Sequence, residues 1–132
     1  GADVTVNTGT TPDGLSSYAA GKGSFDVLFE CTGVAAAVAP ALSAMKPRGV
    51  VVQLGLGGDM PLPMMVVTTK ELDLRGSFRF HEEFATGVAA MQAGRIDVKP
   101  LITHSVGLED AEEAFRLASD RSAAIKAQIH FA

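Results

Sequence analysis

Apolar and polar positions follow two different periods along this chain. Short runs rich in β-branched residues fall at positions 4–7, 26–30, 49–54, 72–78, 101–106 and 124–131, and each predicts a strand. In the second and third, Val27-Leu28-Phe29 and Val50-Val51-Val52 are continuously apolar, the pattern of strands covered on both faces in a parallel sheet. Between the runs the period changes to that of a helix. Val34, Val38, Leu42 and Met45 form one stripe, closed by Lys46-Pro47-Arg48-Gly49 and interrupted by Pro40. Phe84, Val88 and Met91 form another, with Glu82 and Glu83 suited to its positive end and Gly94 to its stop. In the last, Leu108, Ala111, Phe115 and Ala118 are predicted to face inward while Glu109, Glu112, Glu113 and Arg116 face solvent.

Strand and helix alternating in this way predict a doubly wound α/β sheet of parallel strands. After about Arg95 the order becomes strand–helix–strand, with Pro100 at the junction. Two parts are therefore expected: residues 1–95 and residues 96–132. The segment 55–63 is a Gly- and Pro-rich loop, and no internal repeat or low-complexity stretch occurs.

Composition narrows the function. Eleven basic against fifteen acidic residues leave a net charge of −4, and the Lys and Arg are scattered. That argues against a nucleic-acid partner, which needs clustered cations and, for single strands, aromatic platforms. The longest apolar runs are broken well short of a membrane span, so no membrane partner is expected. Cys31 is the single cysteine; it forms no internal disulfide and suits a reducing, cytoplasmic setting. The chain starts at Gly1, without an initiator Met or a signal-peptide pattern.

Three segments can carry chemistry, and each lies at the end of a predicted strand, just outside which open α/β sheets bind ligands. Glu30-Cys31-Thr32-Gly33 offers small residues and a hydroxyl, and it also reads as a tight turn opening a helix. Gln53-Leu54-Gly55-Leu56-Gly57-Gly58 does not match G-x-G-x-x-G and is no phosphate loop; it reads as a flexible loop or as exposed backbone for a flat ring. Leu74-Arg75-Gly76-Ser77-Phe78-Arg79-Phe80 ends on Arg79, a partner for pyrophosphate or a plain surface arginine. Alternation would put Arg75, Ser77 and Arg79 on one face. His81, His104 and His130 match no zinc spacing with Cys31, and Ser105 and His104 point to opposite faces of a strand.

In order along the chain, these segments resemble the medium-chain dehydrogenases, above all their zinc-dependent polyol branch. The resemblance rests on Gly1-Ala2-Asp3-Val4 with Val6-Asn7, Phe25-Asp26-Val27 through Gly33, and Arg48 to Gly55. It continues through Pro63-Met64-Met65, Lys70-Glu71, Leu74 to Phe80, Glu109 to Phe115 and Ile125-Lys126-Ala127. Val106, where relatives often carry an aromatic, and Pro40 depart from the pattern.

The resemblance implies the later part of a Rossmann sheet lacking its first two strands, followed by a strand–helix–strand return to a catalytic domain. It implies oxidation of a secondary hydroxyl of a polyol or a sugar acid such as L-idonate, by hydride transfer to NAD or NADP, with zinc assisting. Thr32 and Gly33 would lie near the cofactor, Leu54, Gly55 and Leu56 would flank the nicotinamide, and Phe78 and Arg79 would contact it or the diphosphate. Zinc ligands, the G-x-G-x-x-G loop and the ribose-binding acid would all precede Gly1. No metal ligand or catalytic residue is therefore expected here, and the chain alone would be inactive. With two strands missing between it and the next, the segment 4–7 should be loosely held, displaced or paired with another chain. The strand from Leu72 to Phe78 would build a homo-oligomer by edge pairing. Two further readings are a zinc-free quinone or enoyl reductase of the same superfamily and a non-catalytic dimerisation module.

Overall fold

The computed structural model describes residues 1–120 and 122–131. Two compact units appear, Gly1–Arg79 and Phe80–Ala132. This division places the helix that carries Phe84, Val88 and Met91 in the second unit, whereas the change of rhythm in the sequence falls near Arg95.

The first unit begins with residues 1–7 outside any strand, and Val4 is 64% exposed. The strand predicted at 4–7 is thus absent: a lone strand has unpaired N–H and C=O groups on both edges, and nothing among the described residues pairs with it. A short helix α1 (Ser16–Ala19) leads to strand β1 (Phe25–Glu30), helix α2 (Ala35–Ala44), strand β2 (Met45–Gln53), helix α3 (Met64–Thr69) and strand β3 (Asp73–Gly76). The strands form one parallel sheet in the order β1-β2-β3, with Val27 opposite Val50, Glu30 opposite Gln53, and Gln53 opposite Gly76. This is the parallel α/β architecture the alternation predicts.

Val38, Leu42, Met45, Val51, Val67 and Leu72 make the core, with Leu28, Met60, Leu62 and Val66 against it. All of it lies on one face of the sheet. The other face of β1, Phe25, Val27 and Phe29, is exposed, Phe29 at 66%. The expectation that β1 is covered on both faces is therefore corrected: among the described residues the second face meets only the Tyr18 ring, 5.0 Å from that of Phe25, and Val27 and Phe29 stay open.

A second correction concerns Lys46-Pro47-Arg48-Gly49, predicted as a helix stop. The helix ends at Ala44 and the strand starts at once, Met45 pairing with Phe25 before the register shifts to Val27 and Val50. Inside this irregularity Arg48 takes φ +63° and donates its N–H to Lys70 O at 2.6 Å. Lys70 Nζ in turn donates to Ser43 O and Met45 O, both at 2.6 Å, and to Lys22 O at 3.1 Å. A cation thus satisfies carbonyls left over where α2 stops.

The second unit holds helix α4 (Glu83–Gln92), strand β4 (His104–Gly107), helix α5 (Ala111–Ser119) and strand β5 (Ala127–His130). β4 and β5 pair with each other in parallel, His104 opposite Ala127. α4 stops where Gly94 takes φ +69°; its Phe84 stacks on Phe80 with ring centroids 5.0 Å apart but stays exposed. In α5 the buried residues are Ala114 and Leu117, whereas Phe115, at 70%, and Leu108 in the turn just before the helix are exposed. The predicted inward set is corrected by one stripe. Ala111, Ala114, Phe115, Leu117 and Ala118 span two neighbouring helical rows, and periodicity alone does not choose between them.

Candidate functional site

The carboxyl ends of β1, β2 and β3 lie side by side at one edge of the sheet, because parallel strands all end in the same direction. The chain leaving β1 turns sharply. Gly33 takes φ +67°, which a side chain adopts only at a cost, and there is no room for one: a Cβ there would lie 2.7 Å from Gly57 N and from Leu56 C. A Cβ on Gly55 would lie 2.8 Å from Thr32 C, and one on Gly57 would lie 2.7 Å from Gly33 C. The turn after β1 and the loop after β2 therefore meet backbone to backbone. Glycine is required on both sides of that contact.

Hydrogen bonds hold the two together, and most converge on Glu30. Its main-chain carbonyl accepts from Leu54 N at 2.8 Å and Gly55 N at 2.9 Å. The residue as a whole is 4% exposed. Oε1 accepts from Thr32 N at 2.7 Å and from the Thr32 hydroxyl; Oε2 accepts from Gly33 N at 3.0 Å and Gln53 Nε2 at 2.6 Å. Gln53 Nε2 also donates to Gly55 O at 2.9 Å. Burial works to raise the Glu30 pKa, but the hydrogen bonds from Thr32, Gly33 and Gln53 outweigh it and hold the carboxyl below its ordinary value. Glu30 and Gln53 head two of the three segments singled out in the sequence, but no role is read for either there. Their signal is a lone acid closing the apolar run Val27-Leu28-Phe29, with an amide at the matching place in the next strand.

The predicted site residues separate into two groups. Thr32, Gly33, Leu54, Gly55 and Leu56 are brought together as one wall. Thr32 does not offer the hydroxyl proton expected of it: that hydroxyl donates to Glu30 and accepts from Val34 N at 3.1 Å. Leu54 and Leu56 are exposed, which leaves apolar side chains and glycine backbone as the free surface of the wall. Phe78 and Arg79 follow β3, whose continuation is tied to β2 by Ser77 N donating to Gln53 O at 2.9 Å. Arg79 takes φ +60° and lays its guanidinium 4.9 Å from the Phe78 ring centroid. That backbone ends the alternation, so Arg75 and Arg79 do not share one strand face; Arg75 instead pairs with Asp73 at 2.6 Å. On the core side of the sheet a pocket of about 210 Å³ is lined by Val38, Leu42, Val51, Gln53, Leu62 and Leu74.

Apolar side chains, bare backbone, an exposed aromatic ring and one arginine at the strand ends suit a planar ring with an anionic group attached, as in a nicotinamide dinucleotide. They do not suit a metal. Among the described residues no three His, Cys, Asp or Glu side chains are placed to hold an ion, and none of the described helices is long and apolar enough to cross a membrane.

A parallel α/β unit with a glycine-lined wall at its strand ends is the construction of a dinucleotide-binding domain. Residues 1–93 match the zinc-binding dehydrogenase family, and the chain belongs to that family. It is similar to L-idonate 5-dehydrogenase (NAD(P)(+)) of Escherichia coli strain K12, 44% identical over 99% of this chain and 38% of that enzyme. D-xylulose reductase of Saccharomyces cerevisiae is 34% identical over 87% of this chain and 34% of its own length. The crystal structure of the E. coli L-idonate 5-dehydrogenase superposes with a TM-score of 0.84, covering 88% of this chain and 34% of that one. The chain thus spans well under half the length of these relatives.

Proposed function

We propose that this chain supplies the nicotinamide side of the cofactor site in an NAD(P)-dependent, zinc-assisted dehydrogenase acting on a secondary hydroxyl of a polyol or sugar acid, with L-idonate as the first candidate. The observation that carries this reading is the wall at the strand ends, where Gly33, Gly55 and Gly57 bring two loops into backbone contact beneath exposed Leu54 and Leu56. Similarity to the L-idonate enzyme over 99% of the chain supports the substrate class.

When bound, NAD or NADP supplies the acceptor for the hydride that leaves the carbinol carbon as the alcohol becomes a ketone and releases its hydroxyl proton. Leu54, Gly55 and Leu56 would shield one face of the nicotinamide from water, and Thr32 and Gly33 would limit its approach to the sheet. Phe78 would pack at the ring's edge, and Arg79 would meet the carboxamide or the diphosphate. The described residues offer zinc no ligand set, so in the whole protein its ligands would come from other segments. The single exposed thiol, Cys31, suits a cytoplasmic setting. Assembly into a homo-oligomer would use the free edge of β3 and its continuation to Phe78.

The test is the zinc-loaded full protein that carries this chain, assayed for NAD+ or NADP+ reduction with L-idonate, sorbitol and xylitol. Reduction with at least one of them is expected; no reduction with any, in a folded protein that binds zinc, overturns the reading.

A further inference from the structure

Among the described residues, Glu30 is the single buried residue with a charged or polar side chain. A buried carboxylate costs free energy that a valine or leucine at the same strand position would not, and replacing such groups by apolar ones is often neutral or stabilising. Packing therefore does not account for it. Nor does the core: Glu30 is not a member of the cluster around Val38, Leu42 and Met45.

What the Glu30 side chain does is lock together two loops that otherwise meet only through the main-chain bonds from Leu54 N and Gly55 N to Glu30 O and through bare glycine backbone. Gly33, Gly55 and Gly57 have no side chains to interlock, and Val34, Leu54 and Leu56 are exposed rather than packed. Four donors, Thr32 N, Thr32 Oγ1, Gly33 N and Gln53 Nε2, point instead at the two oxygens of Glu30. Three come from the turn after β1 and one from the end of β2. Hydrogen bonds to a charged acceptor are the stronger and shorter kind, so the carboxylate ties the turn after β1 to the Gln53 amide, which in turn donates to Gly55 O in the loop.

We infer that Glu30 is the positioning residue of the cofactor wall: its carboxylate fixes Thr32–Gly33 against Leu54–Gly55, and nicotinamide binding depends on it although it touches no cofactor. This rests on the function proposed above. Glu30→Gln retains volume and one acceptor oxygen, but puts an amide N–H2 where Gly33 N–H or Gln53 N–H2 now donates. Two donors then face each other, and the wall opens.

The experiment compares NADH with ADP-ribose, which lacks the nicotinamide, by calorimetry on the full protein carrying this chain. Wild type should bind NADH more tightly than ADP-ribose. In Glu30→Gln the dissociation constant for NADH should rise about ten-fold, equivalent to ~1.4 kcal/mol, while that for ADP-ribose changes less than about two-fold. Equal weakening of both ligands, as general destabilisation of the domain would produce, overturns the inference, and so does no weakening of either. Should Glu30→Gln fail to fold, Gln53→Leu removes a single donor and should give the same selectivity with about a three-fold rise; its absence overturns the inference equally. If wild type itself shows no preference for NADH, the proposed wall falls first and the positioning role with it.

Discussion

Glu30 and Gln53 sit opposite each other at the last paired position of β1 and β2, and the Gln53 amide donates to the Glu30 carboxylate at 2.6 Å. The last rung of the ladder is therefore a charge-assisted side-chain bond lying directly under two loops. Because the bonds favour the ionised form, the folded state holds the Glu30 pKa below the ordinary glutamate value of about 4.3. The unfolded chain then binds more protons than the folded one at low pH, so stability falls as pH falls. The loss should begin below about pH 5 and continue through the depressed pKa. Denaturation midpoints measured from pH 6 to pH 3 should drop less steeply in Glu30→Gln than in wild type. Parallel curves would show that Glu30 titrates alike in both states.

The glycines of the wall make a sharper steric prediction. Gly57→Ala drives a Cβ into the Gly33 carbonyl, with backbone on both sides and no flexible side chain to yield. Forcing atoms into such a contact costs about 1–3 kcal/mol. Gly76, at the end of β3, has nothing within 4 Å of a Cβ and no positive φ. Gly76→Ala should therefore stay within about 0.5 kcal/mol of wild type. Chemical denaturation of the two variants side by side checks the contrast, and equal effects would refute the close approach of the loops.

Lys70 gives a third test. Its ammonium donates to the carbonyls of Ser43, Met45 and Lys22. It thereby closes the end of α2 and steadies the irregular start of β2. Lys70→Met keeps the aliphatic stem and removes the donors, leaving the part-buried carbonyls of Ser43 and Met45 without this partner at a cost of about 1–3 kcal/mol. Amide exchange at Ser24, whose N–H donates to Ala44 O, and at Arg48, whose N–H donates to Lys70 O, should accelerate more than exchange at Val51 in the core. Uniform acceleration would argue against a local cap.

Much of the sheet was legible because a continuous apolar run has few alternatives. Val27-Leu28-Phe29 and Val50-Val51-Val52 became neighbouring parallel strands, and a helix over the core stripe of Val38 and Leu42 joined them. The failures share a cause: side-chain pattern reports burial in the whole protein, whereas elements form only with partners at hand. Phe25, Val27 and Phe29 read as buried, yet among the described residues only the Tyr18 ring packs on that face of β1, at Phe25, and all three remain exposed. Val4 and Val6 read as a strand and have no described strand beside them. Lys46 to Gly49 looked like a helix stop because the three carbonyls that Lys70 binds are 25, 27 and 48 residues away in sequence. In the site, glycine spacing marks the two loops, but no role for Glu30, at the head of the first, is legible in the sequence. A lone acid at a strand end looks like ordinary solvent-facing polarity until the donors around it are known.

The edge of β3 carries the last prediction. β2 occupies one side of this strand, and among the described residues nothing pairs with the other. Ser77 N–H points inward, to Gln53 O, so by alternation the N–H groups of Leu74 and Gly76 point outward. Asp73, Leu74, Arg75 and Gly76 are all exposed, with Asp73 and Arg75 paired to each other, whereas Leu72 turns into the core. Such an edge either meets a partner strand or must be protected from one. The full protein is expected to be a homo-oligomer whose sheet continues through this strand into its symmetry mate. Leu74→Pro deletes an outward donor without touching the inward ladder, an arrangement edge strands tolerate. It should weaken self-association at least about ten-fold, since each ~1.4 kcal/mol lost is worth that factor. Native mass spectrometry and sedimentation at micromolar concentration measure it. A monomeric wild type would refute the oligomer, and an oligomer that Leu74→Pro leaves intact would place the interface elsewhere.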